Sequence, residues 1–285
     1  MADGTPTTSP PAVGHPLISF VGAGPGAPDL ITLRGAARLA AADVVIWASS
    51  LVPAELLTHA NGRAALFDSA TMTLEDVLAV YEAHPGDAIV RLHSGDPSLY
   101  GAIQEQIDWC VARERSFEIV PGVSSLSAAA ALAGRELTIP TVSQSVVVTR
   151  LANRTSASMP ERESIGSFAA TGCTLAVFLS AARPDALQEA LLAPPSAYGP
   201  DTPAVVAVRA SWPDEQVVAT TLGRLADAIR STGATTTVLV LVGEALSGTA
   251  ARSHLYSPDF AHGHRRRSAS GSTIGRPARR RARRG

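Results

Sequence analysis

A protein of two α/β domains is what the sequence predicts, and three observations carry that prediction. Residues 17–47 read as strand, glycine turn, helix and strand, a βαβ unit that requires parallel strands and a right-handed crossover. Two further strand-to-turn passages follow near Gly95 and Gly122, so with Gly24 three turns are expected on the carboxyl edge of one sheet. Beyond a turn-rich crossing at 134–140, β-branched runs and two helical stretches indicate a second sheet with its own helices. At 285 residues the chain is long enough for two cores. The expected divisions are a leader (1–15), an N-terminal α/β domain (16–135), a C-terminal α/β domain (136–247) and a disordered Arg-rich tail (248–285).

In order, Leu17–Val21 is a short apolar strand that ends in GAGPGAPDLIT (22–32). A helix follows through Leu33, Ala36, Ala37 and Ala40, then a strand at Val44–Trp47. Leu51–Leu57 and Met72–Ala83 read as helices around a short strand at Ala65–Phe67. Asp87–Leu92 is a strand that stops at Ser94-Gly95. Asp96 then suits a helix N-cap, with Pro97 at the first helical position and Leu99, Ile103 and Ile107 on one face. That helix is expected to run to Arg113–Arg115. Phe117–Val120 is the next strand, running through Pro121-Gly122 into the small-residue helix Leu126–Ala133, which Ser124 or Ser125 can cap. The second half offers strands at Val146–Thr149, Thr174–Leu179, Ala204–Val208, Gln216–Thr220 and Thr236–Val242, and helices at Pro184–Leu192 and Leu222–Ser231. Ordered structure is expected to end near Leu246.

Composition removes several function classes. Every basic residue other than histidine is arginine; there is no lysine, so a Walker A loop, a pyridoxal Schiff base and a lysine-dependent aldolase are all excluded. The net charge of −1 conceals an asymmetry: nine of the 24 arginines lie between Arg265 and Arg284, leaving 15 against 25 acids elsewhere. Such a tail has almost nothing apolar to bury and reads as solvated, with RNA, an acidic partner or the acidic body of its own protein as its candidate contacts. No apolar run has the roughly 18 residues of a membrane span, and the first residues lack the basic start and apolar core of a secretory signal. With two cysteines, Cys110 and Cys173, at no metal-binding spacing, the expected setting is reducing and cytoplasmic.

The chemistry-bearing residues are few. Gly22-Ala-Gly24-Pro-Gly26-Ala27 satisfies the dinucleotide pattern G-x-G-x-x-G/A formally. Pro25, however, removes a donor from the loop that would hold a pyrophosphate, and Trp47-Ala48-Ser49-Ser50 stands where a ribose-binding acid belongs. The histidines form no metal-ligand pattern, so no metal is expected. No G-x-S-x-G elbow is present, and no nucleophile or general base can be named. His93 borders the central turn and suits either a structural or a functional role. A protein with ligand-binding turns and no evident acid, base, nucleophile or metal fits a reaction whose cofactor arrives activated and needs alignment in a dry pocket.

The ordered motifs VGAGPGAPDLIT (21–32), RLHSGDPSLYG (91–101), VPGVSS (120–125) and FLS (178–180) resemble the tetrapyrrole methyltransferase family, over roughly residues 16–247. GDPSLYGAIQEQ (95–106), LTIPTVSQSVVVTR (137–150) and NRTSASMPERE (153–163) are most similar to its branch acting at C-11 of a contracted, carboxylate-rich tetrapyrrole. The resemblance implies two α/β domains, the N-terminal sheet mainly parallel and the C-terminal one mixed, with S-adenosylmethionine (SAM) bound in the cleft between them. It implies S-adenosylhomocysteine as product, a homodimer, and a place in cobalamin biosynthesis. It assigns Pro25, Ser94, Gly95, Asp96, Leu99, Tyr100, Ser124, Ser125, Leu179, Ala210 and Thr237 to the methyl donor, with Leu179 standing where many relatives carry Met. Arg91, Arg150, Arg154 and Arg183 are then candidates for pairing with substrate carboxylates, because guanidinium forks match carboxylates. The rivals are another tetrapyrrole methyltransferase, including one for a cobalt-containing substrate, a nicotinamide oxidoreductase using GAGPGA, and an RNA-binding protein using its tail.

Overall fold

The computed structural model describes residues 17–151, 159–248, 253–257, 259–261 and 263; the leader, Arg154 and residues 264–285 of the tail lie outside the described residues. The first sheet has strands β1 (Ile18–Gly22), β2 (Val44–Trp47), β3 (Ala65–Asp68), β4 (Ile89–His93) and β5 (Phe117–Val120) in the order β3-β2-β4-β1-β5. All its pairings are parallel, with Phe20 opposite Arg91 and Ile119. Residue alternation sends Ile18, Phe20, Val44, Ile46 and Ile89 to a core completed by Val77, Val80, Tyr81 and Cys110 of α2 (Leu74–Ala83) and α3 (Gln104–Ala112). Val21, Val45, Val90, Leu92 and Val120 face the other way, onto Leu39 of α1 (Leu33–Ala40) and onto Val52 and Leu56. Helices on both faces are what an all-parallel sheet requires, and each fully buried Phe, Ile or Leu contributes about 1.5–3 kcal/mol.

The second sheet is mixed, in the order β6-β7-β10-β8-β9, with β6 (Val146–Arg150), β7 (Thr174–Phe178), β8 (Pro203–Val208), β9 (Gln216–Thr221) and β10 (Val238–Val242). β6 and β7 are parallel, and the remaining pairs antiparallel. Leu175, Val177, Val206, Val240 and Val242 pack on α5 (Ile165–Ala169), α6 (Pro184–Leu192) and α7 (Leu225–Ser231). The opposite face, with Ala176, Val205, Ala207, Leu239 and Leu241, is covered by α4 (Ser125–Ala133) through Ala129, Leu126, Leu132 and Ala133. Thus α4, which follows the last strand of the first sheet, covers the second.

Two expected helices differ in the structure. The segment at Leu51–Leu57 forms only a 3-10 stretch, Ala54–His59, entered from Pro53. The helix expected to start at Asp96 begins at Gln104 instead, because Tyr100 (φ 59°) and Ala102 (φ 49°) are left-handed and cannot continue a right-handed helix. Gly101 packs so closely on the Pro97 carbonyl that a Cβ there would lie 2.2 Å from its oxygen. Ser124 does cap α4, accepting from the Leu126 N–H at 3.2 Å.

Candidate active site between the two sheets

β4, β1 and β5 are neighbours, so the loops leaving their carboxyl ends meet at one edge. Gly24 and Gly95 exchange backbone hydrogen bonds, the Gly95 N–H donating at 2.7 Å and the Gly24 N–H at 3.2 Å. Asp96 ties in the third loop. One carboxylate oxygen accepts from the Gly122 N–H at 2.9 Å, while the other accepts from the Ser98 N–H at 2.8 Å in a local turn. Asp96 is therefore a loop-to-loop tie rather than the helix cap expected from its position before Pro97. The loops touch through glycine: a Cβ on Gly122 would lie 2.1 Å from the Gly95 oxygen, and one on Gly22 would lie 2.5 Å from the Gly122 Cα. This edge carries Pro25, Ser94, Gly95, Asp96, Leu99, Tyr100, Ser124 and Ser125, with Leu99 and Tyr100 substantially exposed.

The corresponding edge of the second sheet holds the ends of β6, β7 and β8 and the start of the antiparallel β10. It carries Arg150, Leu179, Ala210 and Thr237, and Arg183 follows in the loop that opens α6. Leu179 (φ 53°), Arg209 (φ 46°), Ser211 (φ 70°) and Thr237 (φ 55°) are all left-handed non-glycine residues here. With Tyr100 and Ala102 opposite, the strained backbone concentrates on the two edges, which is where binding sites store strain. Leu179 keeps 65% of its surface exposed although it is apolar.

The two edges touch. The Tyr100 and Phe178 rings lie 5.3 Å apart between centroids. The Trp212 indole N–H donates to the Pro25 carbonyl at 2.9 Å, and the Ala27 N–H donates to the Ser211 hydroxyl at 3.0 Å. Sequence reasoning missed Ser211 and Trp212; a Trp-Pro pair in the turn between two β-branched runs was the available signal. In GAGPGA, the Ala23 amide goes to the His93 carbonyl, the Gly24 amide to Gly95, and the Ala27 amide to Ser211, while Pro25 has none. These amides do not form a phosphate cradle.

Behind the first edge lies a buried polar group. Tyr81 donates its hydroxyl to the Gln106 side-chain oxygen at 2.7 Å, and Gln106 donates to the Ala102 carbonyl at 3.1 Å, holding the left-handed turn. Arg91 directs its guanidinium to the carbonyls of Ile46 (3.4 Å) and Leu92 (3.3 Å), with burial working against its charge. His93 is buried against Phe20; burial, and then the Arg91 charge, push its pKa down to about 3, so the ring is neutral at physiological pH. The Tyr100 hydroxyl has its pKa raised by burial, opposed by the Arg150 charge and reinforced by that of Glu163. Among the described residues no group of three or more His, Cys, Asp or Glu is arranged to hold a metal ion.

These features suit a phosphate-free adenosyl sulfonium better than a dinucleotide. Glycine backbone allows close approach, the Ala23, Gly24 and Ala27 amides of the first loop are occupied, and Leu99 and Leu179 offer exposed apolar surface. Comparison with known proteins agrees. Residues 17–226 match the family model of the tetrapyrrole (corrin/porphyrin) methylases. A precorrin-4 C(11)-methyltransferase of Rhodococcus erythropolis is 43% identical over 243 residues, covering 84% of this chain and 96% of that one. The X-ray structure of a cobalt precorrin-4 methyltransferase, a cobalamin biosynthetic enzyme, matches with a TM-score of 0.77 at 40% identity, covering 81% of this chain and 96% of its own. The uroporphyrin-III C-methyl transferase of Thermus thermophilus complexed with S-adenosylhomocysteine matches with a TM-score of 0.67 at 27% identity, covering 81% and 98%. Family model, sequence identity and overall structure agree, and the chain belongs to the tetrapyrrole (corrin/porphyrin) methylase family.

Proposed function

We propose that this chain transfers a methyl group from SAM to C-11 of precorrin-4, leaving S-adenosylhomocysteine, as a step of cobalamin biosynthesis. The observation that carries the reading is the meeting of two loop edges that bear the residues assigned to the donor, in a chain 43% identical to a precorrin-4 C(11)-methyltransferase. Bound SAM supplies an electrophilic methyl on a sulfonium, so the protein's work is alignment and exclusion of water. Ser94–Asp96 and Ser124–Ser125 would hold the polar parts of the donor, and Leu179, Ala210 and Thr237 would line its adenine side. Tyr100, beside Phe178 and within the influence of Arg150, stands where the ring of the substrate would enter. Arg150 and Arg183 are the better placed candidates for substrate carboxylates, since Arg91 is turned to backbone carbonyls. A homodimer working in the cytoplasm belongs to the same reading; no helix among the described residues is long and apolar enough to cross a membrane.

The likeness to a cobalt precorrin-4 methyltransferase favours a second reading, in which the ring already carries cobalt. Methyl incorporation from labelled SAM, assayed on precorrin-4 and on cobalt-precorrin-4, separates the two. Transfer to neither overturns the substrate assignment.

A further inference from the structure

We propose that Trp212 is a positioning residue for the methyl donor: it clamps the first glycine loop to the second sheet and sets the spacing between the two donor-bearing edges. The proposal rests on the donor assignment above. Its geometry starts from the absent side chain of Gly26. A Cβ there would lie 2.2 Å from the indole Cδ1 and 2.5 Å from Nε1, so the indole fills the space that only glycine leaves. The same indole donates to the Pro25 carbonyl, and Ser211, the residue before it, accepts from the Ala27 amide. Both bonds join the two sheets' edges directly.

The tryptophan is itself braced. The Arg209 guanidinium lies 4.2 Å above its ring and pairs with Asp214 at 2.9 Å. The Ser211 amide donates to the Glu215 carboxylate at 2.6 Å, and the Trp212 amide donates to the Arg209 carbonyl at 2.9 Å. Arg209 and Ser211 are held left-handed on either side of Ala210, and the Arg209 amide donates to the carbonyl of Thr237. Backbone strain persists only where the surroundings over-determine it. One rigid turn thus fixes Ala210 and Thr237 on the second edge and Pro25–Ala27 on the first. The role concerns where the edges sit, and predicts an effect on donor affinity larger than any on folding.

The test is calorimetric titration of the full chain with S-adenosylhomocysteine, with melting temperatures and steady-state kinetics alongside. Trp212→Phe keeps a ring and loses the N–H, and is expected to weaken binding about fivefold, the worth of one hydrogen bond. Trp212→Ala should weaken it at least tenfold, raising KM for SAM more than it lowers kcat. Gly26→Ala, which forces a methyl into the indole, should weaken binding more than either. Adding Trp212→Ala to Gly26→Ala should restore affinity to that of Trp212→Ala alone, because the clash is gone. Unchanged affinity in a folded Trp212→Ala, or no recovery in the double variant, overturns the proposal. If Trp212→Ala does not fold, unchanged affinity in Trp212→Phe overturns it. Wild-type protein that fails to bind S-adenosylhomocysteine overturns the donor assignment and the clamp with it, a failure visible before any variant is made.

Discussion

Asp96 does more for this protein than its place before a proline suggests. Its two carboxylate oxygens each hold a backbone amide, those of Ser98 and Gly122, and the second belongs to a different loop. Asp96→Ala leaves the Gly122 N–H unpaired at a part-buried position, and is expected to cost about 1–3 kcal/mol of stability. Calorimetry should show S-adenosylhomocysteine binding weakened in the protein that still folds; a variant that only melts earlier, with full affinity, would reduce Asp96 to a structural tie. Gly122 permits no side chain, so Gly122→Ala should destabilise by about 3 kcal/mol or more, whereas Gly62→Ala, with nothing within 4 Å, should stay within about 0.5 kcal/mol of wild type. Urea melts of the pair check both. His93 has a folded-state pKa pushed down to about 3 from an ordinary 6.5, so below pH 6.5 the unfolded chain takes up a proton that the folded one refuses. Its contribution to stability is complete above pH 6.5 and is lost as pH falls toward 3, by at most about 1.4 kcal/mol per pH unit. Between pH 7 and pH 5, wild type should therefore lose more stability than His93→Gln.

At the scale of elements, the left-handed turn at Tyr100–Ala102 decides where α3 can start. The sequence showed a good cap, a proline and apolar residues at helical spacing, and each is a valid local signal. Three contacts prevail, one of them long-range: Asp96 to Gly122, with Gly101 against the Pro97 carbonyl and Gln106 to the Ala102 carbonyl within the segment itself. Ala102 is exposed, so its methyl gains nothing there, and Ala102→Gly should raise stability by roughly 0.5–1 kcal/mol by relieving the left-handed conformation. Chemical denaturation measures this directly, and a lowered midpoint would show that chain entropy outweighs strain. Elements set by local chemistry were legible: Val44–Trp47, Phe117–Val120 and Pro184–Leu192 lie where their composition places them.

For the whole molecule, the connection through α4 matters most. Its apolar side, Leu126, Ala129, Leu132 and Ala133, packs on the second sheet, although the strand before it belongs to the first. Residues 17–135 expressed alone would expose that side, and should aggregate where the full chain does not; light scattering checks it. Every residue assigned to the donor lies between Pro25 and Thr237, and Arg135 fastens the end of the second unit by donating to the Leu246 carbonyl at 3.0 Å. Truncation after Gly248 is therefore expected to leave methyl transfer intact, whereas loss of activity would give the Arg-rich tail a part in the reaction.

The sequence by itself determined the two α/β units, the three glycine turns on one sheet edge, the exclusion of lysine chemistry, and the family, because each rests on local composition or on ordered motifs. The tertiary structure decided what those motifs do to one another. It made Asp96 a tie between loops, drew the Ala23, Gly24 and Ala27 amides of GAGPGA into contacts within the protein, and set Trp212 against a glycine 186 positions away in the chain. No local pattern encodes such pairings: they depend on which strands become neighbours, and that is settled only when both sheets have packed.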